Sequence, residues 1–440
     1  MKKLIIIYIL AIICTSCDDF LDAKPTKDIV TPNTEQALRA LLDNAESLNR
    51  LPSISVLCSD EFITNDAGLR VYSSQWLREL YKWNPNPFGP DEFIADWSSP
   101  YQTIFTANVI LEELPNMQGL SQEAFNDLKG SALFLRALSY YGLSQIFLPT
   151  YSELQSSDAK LVLRTSPNIN QPINYVNGVE IYNLIFSDLE EAFQLLPEVS
   201  QYPTRPVKNA VNALLARIYL SMEDYENALI YANRALAKDH VLMDYNAIPI
   251  RILPFQNFNS EVILYAELIN YTFTAVLTTQ VEPSLLDSYA PNDQRNKLFF
   301  TLRPNGFTNF TGNYTQIFRH FGGLAYNEVY LIAAEAEARV GSVAEGLNYL
   351  NQLLINRYEI GWEPYQVNNR EALLDLVLEE RRKELAFRGT RWSDLRRLNK
   401  DPRYQKTITR TVDGEEHRLE PNSEKYVIPI PPRELAFDAN

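Results

Sequence analysis

The chain has 440 residues, 46% of them apolar and 12% aromatic, which is enough to bury one large or two modest cores. That composition excludes a disordered chain. Its net charge of −15, with no concentrated basic stretch, excludes nucleic acid as a partner, because such binding depends on neutralising phosphates with Lys and Arg.

Met1-Lys2-Lys3 is a short basic start, Leu4 to Ile13 is an unbroken apolar run, and Cys14-Thr15-Ser16-Cys17 closes the segment. This is the three-part layout of a secretory signal peptide. The apolar run is about half the roughly 20 residues that a spanning helix needs. The pattern is similar to a bacterial lipobox, with Cys14 where such motifs usually carry Leu. Residues 1–16 are therefore expected to be cleaved, leaving Cys17 as a lipid anchor to the bilayer. Cys58 then remains as the single thiol, so no intramolecular disulfide is expected, and its setting after Ile54-Ser55-Val56-Leu57 is that of a core residue.

Residues 17–33 form a polar tether, and residues 34–440 read as one domain. Thr34 is a good N-cap for a helix from Glu35 to Leu48. Residues 66–100 are turn-rich, with Pro85, Pro87, Gly89, Pro90 and Pro100, and hold Trp76, Trp83 and Trp97. Helices are expected over 101–114, 121–147, 178–196, 207–221 and 224–237. Ala216, Tyr219, Ala228, Ala232 and Ala235 carry the spacing of small and aromatic positions in a tetratricopeptide repeat. Phe134, Ala137, Tyr140 and Tyr141, and Ala333 to Ala338 followed by Leu347 to Leu354, look like degenerate copies. The implied fold is mainly α: a curved scaffold of tetratricopeptide-like helix pairs over 34–240 and 326–400. Between them, residues 243–325 are dense in Asn, Thr, Tyr and Phe, with β-like runs at Val262 to Tyr265 and Phe273 to Leu277. Helices resume at Tyr326 and at Arg370 to Leu385, and the tail from Tyr426 to Pro432 is extended.

Catalytic chemistry is not signalled. His240, His320 and His417 are far apart and form no metal-ligand spacing, and no nucleophile elbow, metalloprotease helix or phosphate loop occurs. No catalytic residue, metal or cofactor is expected. Glu335 and Glu337 point to different faces of a helix and suit scaffold salt bridges. Glu379 to Glu384 reads as a solvated helical face with a Glu379–Lys383 pair. The following Gly389 marks a helix C-terminus, after which Arg391, Trp392 and Asp394 fall into a tight, buried turn.

Several stretches together resemble the SusD/RagB family of outer-membrane nutrient-binding lipoproteins. They are Cys17-Asp-Asp-Phe-Leu-Asp-Ala-Lys-Pro, Phe134-Leu-Arg-Ala-Leu-Ser-Tyr-Tyr, Ala213-Leu-Leu-Ala-Arg-Ile-Tyr-Leu, Tyr330-Leu-Ile-Ala-Ala-Glu-Ala, the long run from Arg381 to Arg397, and Ile430-Pro-Pro-Arg-Glu-Leu. Two departures are Asp438, near where the family usually shows Asn, and a short overall length. The resemblance implies four tetratricopeptide-like pairs, a loop-rich variable part and a lipid-anchored place on the outer face of the outer membrane. It also implies a TonB-dependent, SusC-like transporter as partner and a glycan or other nutrient as cargo. Asp18-Asp19 resembles the acidic export tag of such lipoproteins.

Sugar rings lie against aromatic planes and their hydroxyls need polar partners. Candidates for the ligand site are Trp76, Tyr81, Trp83 and Tyr101 from the first irregular region. The second supplies Phe273, Tyr289, Phe310, Tyr314, Asn309, Asn313 and Arg319. Trp362 and Trp392 are assigned to the core. Two other classes stay open: an envelope scaffold whose repeats bind polypeptide, and an envelope hydrolase.

Overall fold

The computed structural model describes residues 34–271, 273 and 279–436. The leader, Cys17, the tether, Asp438 and most of the Phe273–Leu277 run lie outside them. Among the described residues ten helices have eight residues or more: α1 Glu35–Leu42, α2 Ala95–Glu113, α3 Gln122–Phe147, α4 Gly178–Leu195, α5 Lys208–Ser221, α6 Tyr225–Leu236, α7 Tyr326–Val340, α8 Val343–Leu354, α9 Arg370–Glu384 and α10 Arg391–Leu398. Side-chain caps at Thr34, Ser121, Asn177, Asp224, Ser342 and Asn369 take an amide of the first turn and fix where six of these helices begin.

Helices adjacent in sequence pack in pairs, α2 on α3, α3 on α4, α5 on α6 and α7 on α8, while α6 and α9 both pack on α7. The alanines set how closely they approach. Ala210, Ala216, Ala228, Ala232, Ala235, Ala333, Ala334 and Ala336 are fully buried, and their small side chains let neighbouring backbones come near. The fold is mainly α, with tetratricopeptide-like pairs. Twelve short strands add six two-stranded pieces among the described residues. The longest joins Ile408–Val412 to Glu415–Leu419 through Asp413 and Gly414, both at positive φ, as a two-residue hairpin turn requires.

Four local expectations are corrected. The first expected helix breaks at Asp43-Asn44 and resumes as Ala45–Leu48. The stretch 66–100 holds helices Asp66–Val71 and Gln75–Tyr81 and the start of α2, which begins at Ala95 and runs through Pro100. Pro100 forfeits one backbone bond there. The turn persists because Asp96 is buried and anchored: its carboxylate accepts from the amides of Ser53 (2.5 Å) and Ile54 (2.9 Å) and from the Tyr271 hydroxyl (2.5 Å).

The third correction is larger. Glu379 to Glu384 is not a solvated face. The Glu379–Lys383 pair exists at 3.3 Å, but Glu380, Arg381, Lys383 and Glu384 are buried. Arg295, wholly buried, donates to Asp293 (2.7 Å), Glu380 (2.5 Å) and Glu384 (3.1 Å). Arg357, equally buried, donates to Glu384 (2.9 Å) and Glu261 (2.8 Å). This seam ties the 243–325 region to α9. Burial works against the charge on both arginines, yet the facing carboxylates outweigh it and raise both guanidiniums well above their ordinary range. Burial likewise opposes the Glu380 and Glu384 charges, and the arginines overcome it and hold both below the usual carboxylate range.

The turn expected after α9 is corrected. Gly389 takes φ +76° but does not end α9, which stops at Glu384. Arg391, Trp392 and Asp394 lie in α10 rather than in a turn, with Trp392 and Asp394 buried as expected. Asp394 accepts from Arg381 of α9 (2.9 Å) and Arg397 of α10 (2.8 Å), locking the two helices. Arg397 also pairs with the buried Glu335, while Glu337 accepts from the Ser342 amide (2.6 Å). Cys58 is a buried free thiol, pushed up to about 12 by burial.

Candidate ligand-binding groove

An open groove of about 950 Å³ runs along α2, within the size range of ligand sites. Trp97, Tyr101 and Phe105 stand four residues apart on α2 and so share one face, spanning about 12 Å along the helix axis. They rise from floor to rim: Trp97 is buried, Tyr101 half-buried, and Phe105 is 44% exposed. Trp97 and Tyr101 lie 4.9 Å apart, tilted by 43°.

The opposite wall is the loop between two paired strands, Lys160–Val162 and Tyr175–Asn177. Its base is fixed to the helices. The Tyr101 hydroxyl donates to the Val162 carbonyl (2.9 Å), the Asn108 amide donates to the Arg164 carbonyl (3.0 Å), and the Arg164 amide donates to the Tyr140 hydroxyl (2.7 Å). Asn108 is itself held by Arg136 (2.8 Å), which is paired with Asp188. Arg164 closes the loop by donating to the Gln171 carbonyl (2.9 Å). The tip then presents Asn168, Ile169, Asn170 and Gln171, all exposed. At the far end Glu434, brought in by the C-terminal turn, meets the Trp97 indole. Burial raises the Glu434 carboxyl above its usual range, against Arg433 and the indole.

Of the residues expected at a ligand site, Tyr101 lines this groove. The structure places the others elsewhere. Trp76 is buried against Phe88 and Tyr271. Tyr81 and Trp83 sandwich the Arg410 guanidinium at 3.9 and 4.4 Å, and the Trp83 indole donates to the Cys58 carbonyl (3.0 Å). Phe273 stacks on Phe62 and Phe310 on Phe387, all buried. Tyr289 donates to the Lys383 carbonyl (2.8 Å), and Tyr314 donates to Glu261 (2.8 Å) inside the seam. Asn313 pairs with His320 (2.8 Å) and Asn309 accepts from Arg303 (2.7 Å). Arg319, partly exposed, pairs with Glu267 (3.2 Å). Among the described residues no cluster of three or more His, Cys, Asp or Glu fits a metal ion.

Residues 19–220 match the family model described as starch-binding and associating with the outer membrane, and residues 285–439 match that of the SusD family. The chain belongs to the SusD/RagB family. A SusD-like protein of Formosa agariphila is 25% identical, with 79% of each chain covered. A SusD superfamily protein of Bacteroides thetaiotaomicron has the same fold, with a TM-score of 0.74 at 19% identity over 92% of this chain and 98% of that one. A laminarin-binding SusD-like protein aligns with a TM-score of 0.62 at 19% identity over 82% of this chain and 90% of that one.

In this SusD/RagB chain the motif from Arg381 to Arg397 supplies Lys383 and Glu384 to the seam and builds the α9–α10 lock. The closing Ile430-Pro-Pro-Arg-Glu-Leu delivers Glu434 to the groove. Sequence reading missed Trp97 and Phe105 as groove residues, because it began the helix at 101. The signal was present in the three aromatics four residues apart, once Pro100 is allowed inside the helix. Nothing in the loop's composition alone could have aimed Asn170 and Gln171 at that face.

Proposed function

We propose that the protein is a non-catalytic carbohydrate-binding lipoprotein of the outer membrane, that its glycan lies in the α2 groove, and that it hands this cargo to a TonB-dependent transporter. The observation that carries the reading is the aromatic ladder Trp97-Tyr101-Phe105 facing a loop of exposed amides. Ring faces take the C–H surfaces of sugars, and Asn170 and Gln171 match hydroxyls as both donors and acceptors. The groove is lined by one carboxylate, Glu434, whereas glycoside hydrolysis ordinarily uses two. The family's description and a laminarin-binding relative of the same fold support a glycan as ligand. Cys17 supports lipid anchoring, and no helix among the described residues is long and apolar enough to cross a membrane.

The test is calorimetric titration of the purified chain against a panel of oligosaccharides that includes β-glucans, with product analysis in parallel. Binding without turnover is expected, lost on Tyr101→Ala with Phe105→Ala. Absence of binding across the panel, or glycan binding that survives the double change, sinks the assignment. Purification from membranes is expected to bring down a large outer-membrane barrel.

A further inference from the structure

A second cavity lies inside the scaffold, distinct from the groove. It offers about 70 Å³ between α3, α5 and the Gly389 turn that joins α9 to α10, and is open to solvent on one side. That space takes a few waters or one small ion. Its lining is lopsided in charge: Arg217, Arg381, Arg388 and Arg397 face it, against Asp394 as the single carboxylate of the lining.

Three of these arginines are matched. Arg217 pairs with Glu328 (2.6 Å), Arg381 with Asp394 (2.9 Å), and Arg397 with Glu335 (2.5 Å) and Asp394 (2.8 Å). Arg388 is only 9% exposed, and its guanidinium lies over the rings of Tyr314 (4.0 Å) and Phe321 (4.5 Å). No ion pair or side-chain hydrogen bond satisfies it among the described residues. Ring faces offset part of the cost of burying that charge but do not cancel it.

Two more donors are unspent. Nη1 of Arg381 and Nε1 of Trp392 are buried without a hydrogen-bond partner, and both residues line the cavity. The cavity also meets the start of α10, where Thr390 caps the helix with no side-chain bond. The first amides of that helix thus carry the partial positive charge of a helix N-terminus.

We propose that this cavity is a binding site for a small tetrahedral oxyanion of the phosphate or sulfate class. Arg388, Nη1 of Arg381, the Trp392 indole and the first amides of α10 hold it. Water would satisfy the donors and leave the Arg388 charge unanswered; an oxyanion answers both. Asp394 is engaged by Arg381 through one oxygen and by Arg397 through the other, and these two guanidiniums offset its charge. The bound ion would join the α9–α10 turn to α5, at a point no sugar in the groove would touch.

The experiment compares thermal unfolding of the purified chain in phosphate, sulfate and chloride at matched ionic strength. Calorimetric titration of each ion and crystals grown with selenate complete it. Phosphate or sulfate is expected to raise the midpoint saturably where chloride does not. The ion that saturates at the lower concentration is the better fit. Arg388→Gln should weaken that binding by about tenfold or more, the loss of one charge-assisted contact. If Arg388→Gln does not fold, the selenate map of the unmodified protein decides: an anomalous peak beside Arg381 Nη1 supports the site. Water density alone, with no saturable difference between the ions, overturns it.

Discussion

Seven ionisable side chains (Glu261, Asp293, Arg295, Arg357, Glu380, Lys383 and Glu384) meet in the seam behind α9, all buried and each paired inside the chain. The groove on α2 is lined instead by rings and neutral amides, with Arg164 and Glu434 as its charged residues. The contrast separates two uses of polarity. Charges in the seam are taken from water once, on folding, and their partners leave no hydrogen-bonding capacity for a ligand. A neutral ligand in the groove displaces water from amides and ring faces, which costs far less than desolvating an ion. The Arg381–Arg397 motif and the groove therefore fall in different places, the motif belonging to the frame and the loop between two short strands facing outward.

The sharpest way to break this comparison is to remove one seam carboxylate. Glu384 sits between Arg295 and Arg357 and also accepts from Asn327 (2.8 Å). Glu384→Ala leaves two buried guanidiniums short of a partner, and a loss of about 3–5 kcal/mol is expected in denaturant unfolding. Glycan affinity of the fraction that stays folded should not change. If affinity falls as far as stability does, the two regions are one unit.

Buried charge should also show in the pH dependence. Glu61 is buried beside Asp60 and accepts from the Ser59 hydroxyl (3.1 Å) and the Phe387 amide. Burial, reinforced by the Asp60 charge, raises its carboxyl from 4.5 to about 7, while the Ser59 and Phe387 hydrogen bonds and Arg391 oppose the rise. The native state then holds a proton that the unfolded chain has released. Stability from this group is present below about pH 4.5 and declines as pH rises through about 7. Glu61→Gln should flatten that decline by about 1–3 kcal/mol. Asp60 acts in the opposite sense. Burial disfavours its charge, but Arg391, Arg382 and Lys406 prevail and hold it well below its usual range. Its contribution is lost only in strong acid. A slope of the same size in both proteins would remove Glu61 from the account.

The scaffold was legible because its signals are local. The Thr34 cap, the spacing from Ala216 to Ala235 and the alternation of helices with breakers each act within one or two turns. The seam was not. Glu380 and Glu384 look like solvent-facing charges until Arg295, nearly ninety residues away in the chain, is seen to meet them. The aromatic candidates other than Tyr101 do not reach the groove for a similar reason. Trp83 and Tyr81 are wanted by Arg410, which lies on a hairpin more than three hundred residues later whose Asp413-Gly414 turn went unread. A ring that will stack on sugar and one that will stack on a buried arginine are the same residue in a sequence. Tyr101 lines the groove from a helix that starts at Ala95, six residues before the expected start.

The groove side of the comparison calls for smaller effects, read in binding rather than stability. Phe105→Ala removes the exposed rung of the ladder and should weaken glycan binding by about 1 kcal/mol, or roughly fivefold, while unfolding shifts by no more than about 0.5 kcal/mol. Gln171→Ala tests the opposite wall with less. Its backbone carbonyl, which receives Arg164, is kept, so the loop should hold its shape. Only the side-chain amide is lost, and one neutral hydrogen bond is worth about 0.5–1.5 kcal/mol net. Calorimetry at fixed ionic strength should show the affinity falling with little change in its salt dependence, because neither partner is charged. A strong salt dependence, or no loss in either variant, would mean the ligand meets this protein through its charges and not on α2.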